Sequence, residues 1–383
     1  MSLVPLRTII NASRQYKFGQ AAFNVNSVDQ ALAAIDIHEA MRAPLLLQGA
    51  ELALGYIGGQ AQFTESTLED KRRGAKILGE AVRKRAEKAS IPIALHLDHG
   101  QSLAVIQAAI EGGFTSVMYD GSSLPYEENL ANTIEVVNYA HAKGVTVEAE
   151  LGILAGVEDE VFSETSTYTN PLQALDFVKR SQVDLLAISY GTMHGPNKGK
   201  NIKLRNEIVI TLNELFLNEQ IECGLVSHGS STIPYYIVED LKALGYEVSA
   251  AGGIAVKELQ KVIQCGINKI NIDTDIRMAT SRNLMELVKK TDTANDKKLQ
   301  LIQKQFQADN VDPRVLLAPF INEIATGFNQ TDATEQLINQ AVTQAIYEIC
   351  GQMIVQFGML GRSNKVNIQT LDEMKDYYQT QKI

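Results

Sequence analysis

Eight short apolar segments, each followed by a longer stretch with apolar residues at helical spacing, constrain the fold of this chain more than any other feature. The apolar segments are residues 20–25, 44–49, 91–97, 116–119, 145–150, 183–189, 223–227 and 267–272. Amphipathic stretches between them include 28–41, 67–89, 103–111 and 127–143. This alternation is typical of strand–helix units around a parallel sheet whose strands are covered on both faces. It predicts an α/β fold, a closed (β/α)8 TIM barrel.

A doubly wound open sheet is the alternative architecture, but no GxGxxG turn follows the first apolar segment to support it. A chain of 383 residues can form one large barrel without division. After the eighth segment the pattern is helical over 276–289, 299–307 and 335–358. We therefore predict a single domain over 1–363 that includes a C-terminal helical extension from about 276, and a polar C-terminal tail over 364–383.

Charge and cysteine content restrict the partners and the compartment. The net charge is −10 and no run of basic residues offers a nucleic-acid footprint, so we expect no nucleic-acid partner. The three cysteines form no CxxC pair, which fits a reducing cytosol. The first residues lack the apolar core of a signal peptide, and no apolar run approaches the roughly 18 residues that span a bilayer. We expect a cytoplasmic protein with no membrane partner.

Three of the apolar segments lead to a histidine that is followed by glycine: His99, His194 and His228. The C-terminal strand ends of such a barrel carry its function. Neutral imidazole is a common zinc ligand, and three of them leave a coordination position for substrate. One such histidine alone has an ordinary structural explanation, but their coincidence predicts one metal site. His96 shares a strand face with Asp98 and is either an outer partner of that site or a core residue.

Three carboxylates accompany these histidines. Two roles fit Asp98: it orients the neighbouring His99, or it donates a proton at the open coordination position. Glu150 ends the fifth segment and is a candidate fourth ligand. Glu158 lies in the following acidic loop, for which composition alone favours a solvated surface.

Two loops after the seventh and eighth segments carry small residues with free backbone N–H groups. They are 229–232 (GSST) and 271–275 (NIDTD). Such loops at helix starts form phosphate cradles in these barrels. Ordinary helix capping by serine and aspartate explains the same residues.

Seven motifs together resemble the class II, metal-dependent fructose-bisphosphate aldolases. They are AFNVN (22–26), HLDHG (96–100), MYDGS (118–122), EAELG (148–152), GTMHG (191–195), HGSS (228–231) and NIDTD (271–275). The similarity runs from the first strand to the DPR sequence at 312–314, and the HGSS form is similar to the branch found in carbon-fixing bacteria.

The resemblance implies a homodimer or homotetramer that reversibly cleaves fructose 1,6-bisphosphate to dihydroxyacetone phosphate and glyceraldehyde 3-phosphate through a zinc-stabilised enediolate. By position, the catalytic Zn²⁺ ligands would be His99, His194 and His228, with Glu150 as a further ligand. Three imidazoles and a carboxylate would also accept Co²⁺ or Mn²⁺. Carbonyls near Gly195 and Gly229 resemble a site for Na⁺ or K⁺.

The resemblance also implies roles in catalysis and substrate binding. Asp98 would protonate the aldehyde oxygen during condensation. Glu158 falls at the position of the mobile-loop base that removes the proton from dihydroxyacetone phosphate. The ketose phosphate and substrate backbone would be surrounded by Gly195, Gly229, Ser231, Asn271, Asp273 and Thr274. Asn26 would contact the other end, and Arg314 would reach a phosphate from the neighbouring subunit.

One departure keeps other functions open. The family usually has a serine at position 50 that contacts the phosphate of the aldehyde half, and this chain has Ala50. A related ketose-bisphosphate aldolase, for example one acting on tagatose 1,6-bisphosphate, is therefore the close alternative. A non-catalytic metal or sugar-phosphate binding protein is a second alternative. The presence of Asp98 and Glu158 beside the metal ligands argues against it.

Overall fold

The structure is a computed structural model that describes residues 3–154, 156–158, 161–163, 167–195, 203–248, 251–291 and 295–381. Within these residues there are ten strands: β1 (Gln20–Asn24), β2 (Leu45–Ala50), β3 (Ile93–Gly100), β4 (Ser116–Tyr119), β5 (Thr146–Leu151), β6 (Gly156–Glu158), β7 (Val161–Ser163), β8 (Leu185–Ile188), β9 (Gly224–Ser227) and β10 (Ile267–Ile272).

The described residues also form sixteen α-helices. They are α1 (Leu6–Tyr16), α2 (Val28–Ala40), α3 (Glu51–Ile57), α4 (Leu68–Ala86), α5 (Leu103–Glu111), α6 (Tyr126–His141), α7 (Pro171–Ser181), α8 (Asn206–Asn218), α9 (Tyr235–Leu244), α10 (Val256–Cys265), α11 (Thr274–Lys290), α12 (Lys297–Gln305), α13 (Pro313–Leu316), α14 (Ile321–Thr326), α15 (Ala333–Gln356) and α16 (Leu371–Thr380). Short 3₁₀ turns lie at Phe63–Glu65, Ala318–Phe320 and Arg362–Lys365.

Eight of the strands close into one parallel barrel, in the order β1-β10-β9-β8-β5-β4-β3-β2. β1 pairs with β2 on one side and with β10 on the other, so this sheet has no edge. Each apolar segment singled out in the sequence overlaps one barrel strand, and β2, β3 and β5 extend beyond the C-terminal ends of their segments. The predicted (β/α)8 barrel is thereby confirmed, and the doubly wound open sheet is excluded.

The barrel interior becomes polar towards the C-terminal strand ends. Barrels of this kind are usually filled by branched apolar side chains. Among the buried polar residues of β3, β5 and β10, each strand has a pair two positions apart: His96 and Asp98, Glu148 and Glu150, and Lys269 and Asn271. Because successive side chains of a strand alternate between faces, each pair points to the same side of its strand.

The C-terminal helices cover the barrel wall. The long helix α15 packs against α11 and α2. Residues 371–380, which fall in the predicted polar tail, form α16, in which Met374 and Tyr378 are buried. The Tyr378 hydroxyl donates to Asp184 Oδ1 over 2.9 Å, and its ring stacks on His141 with centroids 3.5 Å apart. Since Asp184 directly precedes β8, this helix covers the N-terminal end of the barrel, opposite the polar strand ends.

The segment after β5 contains an antiparallel hairpin of β6 and β7. Glu158 is the last residue of β6, and its side chain lies outside the described part of the chain. Among the helices that the structure describes, none combines the length and the apolar character needed to cross a membrane.

Candidate active site

The end of β3 has an unusual backbone that brings His99 to the barrel mouth. His99 has a φ of 49°, in the left-handed region that is uncommon for residues other than glycine. The register between β3 and β4 shifts between Leu97 and Gly100, as in a β-bulge, and bulges next to active sites re-aim side chains. This local strain places the ring of His99 against the ends of β8 and β9.

The three histidines predicted as ligands lie together. His228 Nδ1 is 3.0 Å from His99 Nε2. The ring centroid of His194 lies 5.6 Å from that of His99 and 6.4 Å from that of His228. All three side chains are buried. Residues from three distant parts of the sequence thus converge on one point at the barrel mouth.

Two outer carboxylates orient the rings. Asp120 Oδ2 lies 2.9 Å from His99 Nδ1, and Glu148 Oε1 lies 2.8 Å from His228 Nε2. If His99 Nδ1 and His228 Nε2 donate hydrogens to these carboxylates, the opposite ring nitrogens, His99 Nε2 and His228 Nδ1, carry lone pairs. Both lone pairs then face the point where the rings converge. Carboxylates in this outer position are typical of metal-ligating histidines.

The ionisation of these groups matches that arrangement. Burial disfavours the charged form of Asp120, but hydrogen bonds from His99 and Ser122 outweigh it and hold its pKa well below the ordinary value. Burial lowers the pKa of His228 despite its hydrogen bond to Glu148. A neutral imidazole is the form that binds metal ions.

Asp98 is held by two side-chain amides. Asn24 Nδ2 donates to Asp98 Oδ2 over 2.9 Å, and Asn271 Nδ2 donates to Asp98 Oδ1 over 3.1 Å. Gln48 in turn donates to Asn24 Oδ1 over 2.7 Å. Ligand atoms of Asp98, His99 and His228 all lie within 4.8 Å of one another. The carboxylate therefore faces the point where the imidazoles converge.

Glu150 belongs to a second group of potential ligands. Its carboxylate, that of Asp120 and a ring nitrogen of His99 lie within 4.8 Å of one another. His99 is common to this group and to the one with Asp98 and His228, so the two groups are adjacent. Glu150 therefore lies near His99, and its role as a further ligand stays a prediction.

The loops after β8 and β9 approach each other closely. Gly229 has a φ of 59°, and a Cβ atom there would come within 2.4 Å of Met193 O. Only glycine therefore fits beside the segment that carries His194. Below this loop, Tyr190 Oη and Ser230 Oγ each lie 2.5 Å from Ser227 Oγ.

The NIDTD segment begins α11 and lies next to the loop after β9. Asp275 accepts hydrogen bonds from the backbone N–H groups of Thr232 and Ile233 over 3.1 and 2.8 Å. The Asp273 carboxylate pairs with Arg277, which also pairs with Asp312, at 2.8 and 3.1 Å. The predicted phosphate-binding loops are thus neighbours, and the candidate residues Gly229, Ser231, Asn271, Asp273 and Thr274 lie on them.

Asn26 and Arg314 line one small pocket of the same chain. Arg314 is buried, its guanidinium pairs with Asp312 over 2.6 Å, and its Cζ lies 3.8 Å from the centre of the Phe63 ring. Asn26 Nδ2 is buried and has no hydrogen-bond partner within the described residues. The expectation that Arg314 reaches a phosphate of a neighbouring subunit concerns the assembly and stays a prediction; within one chain, Arg314 lies beside Asn26.

Ala50 ends β2 directly beside Asp98, with which it is paired in register. It is buried and offers no hydroxyl at this position. The next residue, Glu51, forms an ion pair with Lys71 and accepts a hydrogen bond from Gln101 N over 2.9 Å. The departure from the family pattern thus lies at the edge of the site.

Sequence reasoning assigned no role to Asp120, Glu148 and Lys269. Asp120 and Glu148 were visible in motifs of the sequence, and the spacing of Glu148 from Glu150 placed both on one strand face. The contact of Glu148 with Lys269, at 2.8 Å, joins residues 121 positions apart in the chain. Only the closed barrel brings these two residues together.

Comparisons with known proteins show which family this chain is similar to. A fructose-bisphosphate aldolase of Giardia intestinalis is 33% identical to this chain and covers 99% of it and 100% of the relative. One of Xanthobacter flavus is 30% identical, over 99% and 97% of the two chains. The crystal structure of a fructose-bisphosphate aldolase from Campylobacter jejuni is similar in fold, with a TM-score of 0.66 at 17% identity over 94% and 96% of the chains.

The family model described as "Fructose-bisphosphate aldolase class-II" matches residues 4–361. This match includes every barrel strand, the three convergent histidines and Arg314. The resemblance drawn from the seven motifs is thereby confirmed. The chain belongs to the class II fructose-bisphosphate aldolases, a family of lyases.

Proposed function

We propose that this aldolase cleaves fructose 1,6-bisphosphate reversibly into dihydroxyacetone phosphate and glyceraldehyde 3-phosphate, with one divalent ion held by His99, His194 and His228. The observation that carries the proposal is the convergence of these three buried rings beside Asp98. Glu150 is the proposed further ligand.

The donor set fits a zinc-like ion. With Zn–N bonds of about 2.0–2.1 Å, two ligands of a tetrahedral ion are about 3.3 Å apart. His228 Nδ1 and His99 Nε2 are 3.0 Å apart, which is close to that value. When bound, the ion supplies Lewis-acid polarisation of the substrate oxygens. The same donors would accept Co²⁺ or Mn²⁺, and we propose a Na⁺ or K⁺ ion near the carbonyls of Gly195 and Gly229.

Asp98 is the proposed proton donor to the aldehyde oxygen during condensation. What supports this role is its position: it is buried, held by Asn24 and Asn271, and close to the imidazoles. A group in this position is within reach of a substrate oxygen at the same point. We assign to Glu158 the removal of the proton from dihydroxyacetone phosphate, because Glu158 falls at the position of that base in the family pattern.

The two phosphates would be held at opposite ends of the barrel mouth. For the ketose end we propose the loops with Gly195, Gly229, Ser231 and Thr274, together with Asn271 and Asp273. For the other end we propose Asn26 and Arg314 of the same chain, because both line one pocket. Backbone N–H groups at the start of a helix and an arginine suit phosphate in an otherwise acidic protein.

We also propose a cytoplasmic homodimer or homotetramer. The three cysteines, Cys223, Cys265 and Cys350, are all free, which fits a reducing compartment. Sedimentation of the purified protein would measure the size of the assembly.

The direct experiment is a coupled assay of triose phosphate release from fructose 1,6-bisphosphate by the zinc-loaded protein. We expect activity that His194→Ala abolishes together with metal binding. A matched control is His38→Ala, because His38 is buried in α2 and hydrogen-bonds only to Ala34 O among the described residues. Absence of triose phosphate from the zinc-loaded protein would refute the proposal.

A preference for tagatose 1,6-bisphosphate is the second candidate, and Ala50 favours it. The missing serine hydroxyl changes the contacts of the aldehyde half of the substrate. Comparison of kcat/KM for the two sugar bisphosphates decides between them, and a clear preference for the tagatose sugar would establish the second candidate.

A further inference from the structure

Lys269 is a buried cation in the interior of the barrel. Its side chain is completely buried on β10, and its Nζ lies 2.8 Å from Glu148 Oε2 and 3.4 Å from His96 Nε2. An interior of this kind is usually apolar, and a lysine is almost never fully buried unless it is paired. We therefore looked for a role of this buried cation in the histidine site at the barrel mouth.

The ion pair leads directly to a proposed metal ligand. Glu148 uses one oxygen for Lys269 and the other for His228, whose Nε2 lies 2.8 Å from Oε1. The opposite nitrogen of His228, Nδ1, faces His99 Nε2. Lys269, Glu148 and His228 thus form a continuous line from the barrel interior to the point where the imidazoles converge.

We propose that Lys269 is a positioning residue for the metal site, acting through Glu148 to fix the ring of His228 with Nδ1 towards the ion. This inference rests on the metal site of the proposed function. Lys269 compensates the charge of Glu148 and fixes its rotation, because Oε2 is then held by Lys269 while Oε1 is held by His228. Without that partner, Glu148 is a buried charge free to turn away from His228.

The asymmetry of the site supports this role. Asp120, the outer carboxylate of His99, lies near the strand ends and is fixed by the hydroxyl and backbone N–H of Ser122 at 2.7 and 3.1 Å. Glu148 lies deeper, where its other contacts within 3.5 Å are Lys269 and His96. Lys269 therefore fixes the carboxylate of Glu148, as Ser122 fixes the carboxylate of Asp120.

The test is the metal affinity of purified Lys269→Met, measured by chelator competition with Zn²⁺ and by the visible absorption of bound Co²⁺. Loss of an outer partner of a ligand typically weakens metal binding about 10- to 100-fold. We expect a loss in that range and a changed Co²⁺ spectrum. The matched control is Arg7→Met, which removes a buried cation paired with Asp184 at the other end of the barrel. It should lower the melting temperature and leave both metal readouts unchanged.

A double variant separates positioning from a general loss of packing. In Lys269→Met/Glu148→Gln no charge is left uncompensated. The glutamine amide can also donate to His96 Nε2, which lies 3.5 Å from the replaced oxygen. We expect this variant to bind Zn²⁺ more tightly than Lys269→Met alone. If Lys269→Met does not fold, Glu148→Gln alone should show the weakened binding.

Three results would overturn the inference. The first is an unchanged Zn²⁺ affinity in Lys269→Met, or in Glu148→Gln if that variant is used instead. The second is an equal loss of Zn²⁺ affinity in Arg7→Met. The third is a double variant that binds Zn²⁺ no more tightly than Lys269→Met alone. A wild-type protein that binds no metal would instead reject the metal site of the proposed function. The two failures are therefore distinguishable.

Discussion

The side-chain amide of Asn271 donates a hydrogen bond to Asp98 Oδ1 over 3.1 Å. The other oxygen of Asp98 accepts from Asn24. The carboxylate is therefore fixed by the first and the last strand of the barrel, although it belongs to the third. A group held in this way needs little reorganisation when it donates a proton, which is the requirement for an efficient general acid.

Replacement of this carboxylate should separate chemistry from metal binding. Asp98→Ala is expected to lower kcat roughly 10²- to 10⁴-fold, the usual contribution of a positioned acid or base. Zinc content should be nearly unchanged, because the imidazoles and Glu150 remain. Steady-state kinetics together with metal analysis checks this prediction. The matched control is Asn268→Ala, because Asn268 is a buried residue of β10 whose side-chain oxygen accepts only from Leu225 N among the described residues. This variant should reduce stability and leave kcat near the wild-type value. A loss of zinc in Asp98→Ala would contradict the assigned role.

Chelation should abolish the activity, and borohydride should not trap the enzyme with its substrate. A Schiff base requires a lysine that can reach the substrate carbonyl as a free amine. Lys269, on β10, is buried in an ion pair with Glu148. Mass spectrometry after borohydride treatment with fructose 1,6-bisphosphate checks the prediction. A covalent adduct, or activity that survives removal of the metal, would point to lysine chemistry.

Asp184 should contribute stability that depends on pH. Burial disfavours its charged form, but His141, Arg7 and the backbone N–H of Val147 outweigh burial and lower its pKa. A lowered pKa in the folded state stabilises the fold above the ordinary carboxyl pKa of about 3.9, and this stabilisation is lost as the pH falls through the folded-state value. Asp184→Asn should therefore cost about 3–5 kcal/mol near pH 7, the usual effect of breaking a buried pair.

The difference in unfolding free energy between wild type and Asp184→Asn should shrink as the pH falls below about 4. Denaturant unfolding at several pH values measures it. Glu222→Gln is the matched control, because Glu222 pairs with the same Arg7 at 2.8 Å while its side chain is 60% exposed. An exposed partner of this kind should contribute less than about 1 kcal/mol. A difference that stays constant from neutral to acid pH would contradict the assignment.

Arg314 should serve the active site of its own chain. Arg314→Ala is expected to raise KM about tenfold or more, through the loss of a charged contact with phosphate. In a hybrid oligomer of Arg314→Ala and His194→Ala subunits, every site then lacks either the arginine or a metal ligand, so no site should show the wild-type KM. Activity of differently tagged, co-purified subunits checks this. A hybrid of wild type and His194→Ala is the positive control, and sites with the wild-type KM in the mixed variant would show that Arg314 acts across subunits.

The sequence predicts the barrel and most of its mouth because these depend on local patterns. Each strand is marked by its own apolar segment, and His99, His194 and His228 are marked by their places at strand ends. The family resemblance adds roles to residues such as Glu158 for which composition favours only a solvated surface. A functional role could be predicted for residues that directly follow a strand in the sequence.

The contacts that hold these residues could not be predicted, because they join residues far apart in the chain. Lys269 looks like an ordinary charged residue in the segment INKINI, and nothing local indicates that it meets Glu148 inside the barrel. The helix α16 was hidden for a similar reason: its sequence is polar, and only Met374 and Tyr378 are buried. Such positions are determined by barrel closure and helix packing, which single segments do not encode.

The missing hydroxyl at position 50 yields a prediction about substrate preference. Ala50 ends β2 beside Asp98 and is 7% exposed, so a serine there would bring a donor to the edge of the site with little change in packing. A hydrogen bond to a charged group contributes about 1.5–3 kcal/mol. Ala50→Ser is therefore expected to raise kcat/KM for fructose 1,6-bisphosphate roughly 10- to 100-fold. Ala53→Ser is the matched control, since Ala53 is equally buried but lies within α3, and it should leave kcat/KM unchanged. If Ala50→Ser instead lowers kcat/KM for this sugar, the alanine is part of a pocket built for a different aldehyde half, and the tagatose assay is the measurement that would identify it.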